Sequence, residues 1–300
     1  MNSAEQEPQK LINESARQSW NEHLQSNEVP QAVVFDVTNV CDSPGCAHCY
    51  INAVKHGNLE NGFGNFMDIN TAQVWSDTLA SNPKGRPEQI WISGGEPTLH
   101  KDLGLILKFL KEKQFYTALI TNGEKFEDKE FGKRLASEGN LDEVAVTIRG
   151  DGILHDLFML PADNPIWAGV SKDGSYKEQI DFVKSKSNSV EHFEKTMEGI
   201  MNLSEVPKLK IALNIDMQAA GDMEKIVRKI KKRGGRVDNI YLQAQQETGR
   251  AKAQPGRLPN LWRKPTVDMV GEYMNQSERL LKEGSVKEIV FYRSSSSRNS

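Results

Sequence analysis

Ile90-Trp91-Ile92-Ser93-Gly94-Gly95-Glu96-Pro97 is the stretch that decides the fold. Its apolar residues are β-branched or aromatic and run without a break, as a strand buried on both faces requires. Two glycines and a proline then stop the strand and leave the backbone open to sharp turning. A few residues later Asp102 stands where it can cap a helix, and Leu103, Ile106, Leu107 and Leu110 follow at helical spacing. Strand, glycine-rich loop and helix together are half of a βαβ unit.

The same order recurs on both sides. Ala32–Val37 reads as a strand, and Thr71–Leu79 as the helix after it. Tyr116–Ile120 is a strand that ends in Thr121-Asn122-Gly123, and a charged helix follows over Asp128–Glu138. Glu143–Ile148 is a strand that ends in Arg149-Gly150-Asp151-Gly152. A helix over Ser189–Leu203 leads to a strand at Leu209–Ile215, a helix over Asp222–Arg233 leads to Asn239–Leu242, and Asn239–Leu242 is the sixth strand. Strands alternating with helices imply parallel pairing through right-handed crossovers. The expected fold is therefore α/β, a partial (β/α)6 barrel of parallel strands with helices outside. The loops after the strands form its active face.

The loop after the first strand is Cys41-Asp42-Ser43-Pro44-Gly45-Cys46-Ala47-His48-Cys49-Tyr50, and it holds all three cysteines of the chain. An odd number gathered in one segment is not a disulfide framework. Three thiolates suit three irons of a [4Fe–4S] cluster, which normally takes four, and that leaves one iron for another ligand. A structural zinc site from Cys41, Cys46, Cys49 and His48 is the other reading, although neighbouring side chains such as His48 and Cys49 rarely point at one metal.

The loop after the first strand and Gly94-Gly95-Glu96-Pro97 after the second resemble the radical S-adenosylmethionine (radical SAM) superfamily, with Tyr50 as the aromatic residue behind the last cysteine. Val146–Gly150, His155-Asp156, Ser189–Glu194 and Gln246–Ala251 resemble the core of its SPASM and molybdenum-cofactor branch. The resemblance implies a [4Fe–4S] cluster on Cys41, Cys46 and Cys49, with S-adenosylmethionine on the open iron. It implies that Gly94 and Gly95 let the backbone approach the methionine moiety and that Glu96 accepts from its ammonium group. The backbone of Tyr50 meets the adenine. Thr147 and Asn214 are candidates for ribose or carboxylate contacts, and Arg149 for pairing with the carboxylate. An external one-electron donor of the flavodoxin or ferredoxin kind and a small-molecule or peptide substrate follow from the same resemblance. The common spacing has three residues between the first two cysteines; here there are four, and Pro44-Gly45 is expected to bulge outward. No cysteine follows Cys49, so the auxiliary clusters of SPASM members have no ligands here.

The remaining composition sets limits. A net charge of −3 with 26% charged and 37% hydrophobic residues suits an enzyme core rather than a nucleic-acid scaffold. The basic run from Lys225 to Arg233 lacks interleaved aromatics and reads as a solvated helix face. No apolar run approaches the roughly 20 residues of a membrane span, and a reducing, cytoplasmic setting is expected. Three divisions are expected: an N-terminal helical extension over 1–30, a core over 31–251, and a C-terminal extension over 252–300 with a helix, a strand at Lys287–Tyr292 and a flexible tail. Within the core, 157–188 is too long for an ordinary loop and is a candidate lid or substrate element. A non-catalytic zinc or iron–sulfur protein on the same fold is the alternative function.

Overall fold

Seven strands lie side by side and all run in the same direction: β1 (Ala32–Asp36), β4 (Gln89–Ser93), β5 (Tyr116–Thr121), β6 (Glu143–Thr147), β7 (Lys210–Asp216), β8 (Asn239–Gln243) and β9 (Glu288–Tyr292), in that spatial order. The computed structural model describes residues 30–43, 46, 49, 51, 53–55, 66–137, 140–160, 164–170, 176–216, 222–243 and 267–292. The N-terminal helical extension expected over 1–30 (all but its last residue), the segment 246–251 and the tail lie outside these residues. Two short strands, β2 (Val40–Cys41) and β3 (Val54–Lys55), form a separate parallel pair.

Six strands were expected in the core; the structure has a seventh. β9 pairs with β8 from Asn239↔Glu288 to Gln243↔Tyr292. Its alternate residues face opposite sides, so Ile289 packs on the outer core and Val290 on the inner one.

The sheet is strongly curled. The rings of Trp91 on β4 and Tyr241 on β8 sit edge to face with centroids 5.2 Å apart. In a flat sheet, strands four places apart would be separated by about 19 Å, at about 4.8 Å per strand. The three strands between them present Ala118, Ala145 and Ala212 to the same inner cluster. Small residues on the middle strands and aromatics on the flanking ones let the wall close into a half-barrel. The opposite, convex face carries Ile90, Ile92, Leu119, Val144, Leu213 and Ile240, and these meet the helices in the main core.

The helices are α1 (Ile69–Ala80), α2 (Leu103–Glu112), α3 (Lys129–Ser137), α4 (Ile153–Phe158), α5 (Pro165–Ala168), α6 (Tyr176–Lys186), α7 (Glu191–Ser204), α8 (Met223–Lys232) and α9 (Val267–Lys282) among the described residues. Asp68 caps α1 by accepting from Asn70 N and Thr71 N at 3.1 and 3.2 Å. Asp102 stands at the start of α2 as expected, but its side chain makes no capping bond. α7 is capped from a distance: Asp156 accepts from Phe193 N at 2.8 Å and His192 N at 3.2 Å. The described part of 157–188 is largely helical: α5 and α6 pack with α4 around Leu157, Phe158, Trp167 and Val183. On α8 the basic run is held in surface ion pairs, Lys225 and Lys229 to Asp151 and Arg233 to Glu194, as a solvated face requires. No described helix is long and apolar enough to cross a membrane.

The lower, N-terminal end of the half-barrel is closed by a buried carboxylate. Glu143 Oε1 accepts from Tyr241 OH at 2.6 Å and from Asn239 Nδ2 at 3.3 Å, and Oε2 accepts from Tyr116 OH at 2.6 Å. Three strands are tied together through this one side chain.

Candidate functional site

The site is built where the chain leaves β1 and folds over the end of β4. Val37 N donates to Ser93 O at 2.9 Å, Gly95 N to Thr38 O at 2.7 Å, and Glu96 N to Val40 O at 2.8 Å. Only glycine fits at the crossing. Gly94 has φ +138°, and a Cβ there would lie 2.3 Å from Thr38 O; a Cβ on Gly95 would lie 2.2 Å from Val40 O. The backbone packed so closely on Gly94 and Gly95 is the protein's own cysteine-bearing strand, so the two glycines seat the cysteine loop.

Beyond that crossing, Cys41 is held in β2 opposite Lys55 of β3. Cys46 O accepts from Cys49 N at 3.1 Å, and Cys49 Sγ accepts from Ala53 N at 3.2 Å. Cys46 Sγ donates to Met159 O at 3.7 Å and lies 3.8 Å from Met159 Sδ. Met159 directly follows α4, so the helical segment after β6 borders the cysteine loop. Burial, then the charges of Glu96, Cys46 and Asp42, push the Cys41 thiol above its ordinary range. A bound cation offsets that penalty and favours the thiolate. Pro44, Gly45, His48 and Tyr50 lie outside the described residues, and with them the expected bulge and the adenine contact.

Glu96 is fully buried and already occupied. Its Oε1 accepts from Thr98 N at 3.0 Å, Thr98 Oγ1 at 2.6 Å and Thr121 Oγ1 at 2.8 Å; Oε2 accepts from Asn122 N at 2.8 Å. The carboxylate caps the short 3-10 turn Pro97–Leu99 and joins the ends of β4 and β5. Burial, followed by the charge of Asp42, raises its pKa to about 7 despite these donors. The expected role, accepting from a ligand ammonium, has room only at Oε2, where one donor is already in place.

The ends of β6 and β7 supply the other wall. Thr147 and Asn214 are register partners, and Asn214 Nδ2 donates to Thr147 Oγ1 at 3.4 Å. Arg149 follows. Burial around its guanidinium lowers its pKa, whereas negative charge on Cys46, Cys49 and Cys41 opposes that shift, so the cation stands within electrostatic reach of all three thiols. Its backbone N donates to His155 Nδ1 at 3.1 Å. Burial, then the Arg149 charge, pushes the His155 pKa down to about 3, so the ring is neutral with its proton on Nε2. Asp156 is spent on the cap of α7 and on Ser189 Oγ at 2.8 Å.

Three buried polar atoms at this face have no hydrogen-bond partner among the described residues: Ser43 Oγ in the cysteine loop, His155 Nε2 and Asn214 Oδ1. Such atoms are costly unless something else binds them. They offer hydroxyl, donor and acceptor respectively, a set that suits a polar ligand with an ammonium, carboxylate or ribose group. Three cysteines, with no fourth in the chain, supply thiolates for three irons of a [4Fe–4S] cluster and leave one iron for another ligand.

Sequence reasoning missed Asp42, Ser43, Asn122 and Met159. Asn122 carried a weak signal, its place in Thr121-Asn122-Gly123 at a strand end. Met159 carried none, because it comes to Cys46 from 113 residues away.

Residues 36–151 match the model of the radical SAM superfamily, a family that uses a [4Fe–4S] cluster and S-adenosylmethionine. The chain is 34% identical over 133 residues to the Fe-coproporphyrin III synthase of Methanosarcina barkeri, a match that covers 44% of this chain and 31% of that protein. Its fold is similar to that of SuiB from Streptococcus suis bound to S-adenosylmethionine, with a TM-score of 0.56 at 15% identity over 94% of this chain and 55% of SuiB. SuiB bound to its precursor peptide SuiA gives the same TM-score at 16% identity, over 94% of this chain and 54% of SuiB. This chain thus spans about a third of the curated relative and about half of SuiB, and at these identities the likeness to SuiB is one of fold.

Proposed function

We propose that this chain, whose residues 36–151 match the radical SAM superfamily, is a radical SAM enzyme that modifies a small molecule or a peptide in a biosynthetic pathway. The observation that carries this reading is that all three cysteines lie in one stretch beyond β1, at the C-terminal ends of the strands of a parallel half-barrel, where Ser43 Oγ, His155 Nε2 and Asn214 Oδ1 are buried with no partner among the described residues. When bound, the cluster supplies one electron and S-adenosylmethionine supplies a 5′-deoxyadenosyl radical that removes hydrogen from the substrate.

The chain's own residues have distinct tasks. Cys41, Cys46 and Cys49 hold the cluster. Arg149 opposes the negative charge gathered by three thiolates, and it also stands where a ligand carboxylate can pair with it. Asn214 Oδ1 accepts from, and His155 Nε2 donates to, the polar end of S-adenosylmethionine. Gly94 and Gly95 keep the cysteine strand seated, and Glu96 keeps the ends of β4 and β5 in register beneath it. Tyr50 lends its backbone to the adenine. The substrate enters from the open C-terminal face, and the helical segment from α4 to α6, which reaches Cys46 through Met159, is where selection occurs. A flavodoxin- or ferredoxin-like protein delivers the electron.

Anaerobic reconstitution with iron and sulfide tests the proposal. A brown protein that releases 5′-deoxyadenosine from S-adenosylmethionine on reduction is expected. Cys46→Ala is expected to abolish both the cluster and the product. A colourless protein that holds one tightly bound zinc, or turnover that survives Cys46→Ala, overturns it.

A further inference from the structure

The spacer between Cys41 and Cys46 makes one long-range bond in its described part. Asp42 Oδ1 accepts from Asn122 Nδ2 at 2.9 Å, across 80 residues of chain. The same carboxylate oxygen lies 3.9 Å from Cys41 Sγ, which donates to it. Asn122 is itself fixed at three further points. Its N donates to Glu96 Oε2 at 2.8 Å, its Oδ1 accepts from Glu124 N at 3.0 Å, and its O accepts from Thr196 Oγ1 at 3.0 Å. Because Oδ1 is committed to Glu124 N, the amide cannot turn over, and its NH2 group has to face Asp42.

We propose that Asp42 and Asn122 are positioning residues that tether the four-residue spacer to the end of β5, so that Cys41 stands in its ligating place before iron arrives. The inference rests on the radical SAM reading of the site. Asp42 is exposed, so the bond contributes little to global stability. Its effect is local. A spacer already ordered loses less conformational freedom when its cysteines take up a cluster.

A charge-swap series tests this on the full chain reconstituted with iron and sulfide. The readouts are the rate at which a chelator strips iron from the oxidised protein and the EPR spectrum after reduction. Asn122→Asp sets two carboxylates face to face, and Asp42→Ala removes the acceptor; both are expected to release iron several times faster than wild type and to broaden the EPR signal. The double variant D42N/N122D restores a donor–acceptor pair with its polarity reversed, and it is expected to return both readouts close to wild type. Thermal unfolding of the iron-free variants is expected to be unchanged. Iron release at the wild-type rate in every variant, or a double variant as labile as Asn122→Asp alone, overturns the tether and leaves the radical SAM reading standing. A wild-type protein that takes up no cluster overturns that reading, and the tether with it.

Discussion

The two ends of the half-barrel each bury a glutamate, and the two glutamates are treated differently. At the N-terminal end Glu143 accepts from Tyr116, Tyr241 and Asn239, and its hydrogen bonds tie β5, β6 and β8 together. At the C-terminal end both oxygens of Glu96 also accept hydrogen bonds, but on that side of the sheet Ser43 Oγ, His155 Nε2 and Asn214 Oδ1 are buried with no partner among the described residues. The lower end is complete by itself. The upper end has spare polar capacity and a concentration of thiols beside a desolvated guanidinium. The spare polar groups thus gather at the C-terminal strand ends, the face that carries the sites of parallel barrels.

The comparison breaks most visibly at the lower end. Glu143→Leu leaves two tyrosine hydroxyls without their acceptor and is expected to cost about 3 kcal/mol of stability, read as a lower urea midpoint of the iron-free protein. A midpoint equal to wild type would show that the floor is not what holds the curl. Next in size is Gly95→Ala. Its Cβ would press on Val40 O, and the cysteine strand has to move, at a cost of about 2 kcal/mol. Iron uptake is expected to fall with it; full uptake would mean that the crossing of the two strands is not needed to seat the loop.

The carboxylate at the upper end gives a pH effect. The pKa of Glu96 is raised to about 7 in the folded chain from an ordinary 4.5, so the folded state binds more protons between those values. Its contribution is fully present below about pH 4.5 and is lost as the pH rises through about 7. The iron-free protein is therefore expected to melt lower at pH 8 than at pH 5, and Glu96→Gln to flatten that slope; an equal slope in the variant would assign the effect to another group. The smallest expected change in stability comes from Asn214→Ala, under about 1 kcal/mol because only a long bond to Thr147 is lost. Its effect should appear instead as weaker binding of S-adenosylmethionine, measured by calorimetry on the reconstituted protein. Unchanged affinity would remove Asn214 from the binding wall.

Much of this was legible in the order of residues. The strands are short apolar runs, those of β4, β5 and β6 followed closely by glycine, and a parallel sheet buried on both faces leaves that apolar pattern directly in the sequence. The cysteine loop and Gly94-Gly95-Glu96-Pro97 are likewise local, and their place after consecutive strands brings them to one face. Local pattern also misled. The spacing of Asp102 suggested a side-chain cap that is not made, and the strand at Lys287–Tyr292, set apart from the core by its place in the sequence, pairs with β8 in the main sheet.

What the sequence by itself determined is therefore the type and order of the elements and the chemistry offered at their ends: three thiols, a turn of glycines, and an arginine after β6. What only the tertiary structure decided is which of those groups are spent on the protein and which are left for a ligand. Glu96 is taken by Thr98, Thr121 and Asn122, and Asp156 by α7; Asn214 Oδ1 and His155 Nε2 have no partner among the described residues. The physical reason is that propensity and periodicity act over a few residues, whereas a hydrogen-bond partner is chosen by proximity in space, across 80 residues for Asp42 and Asn122.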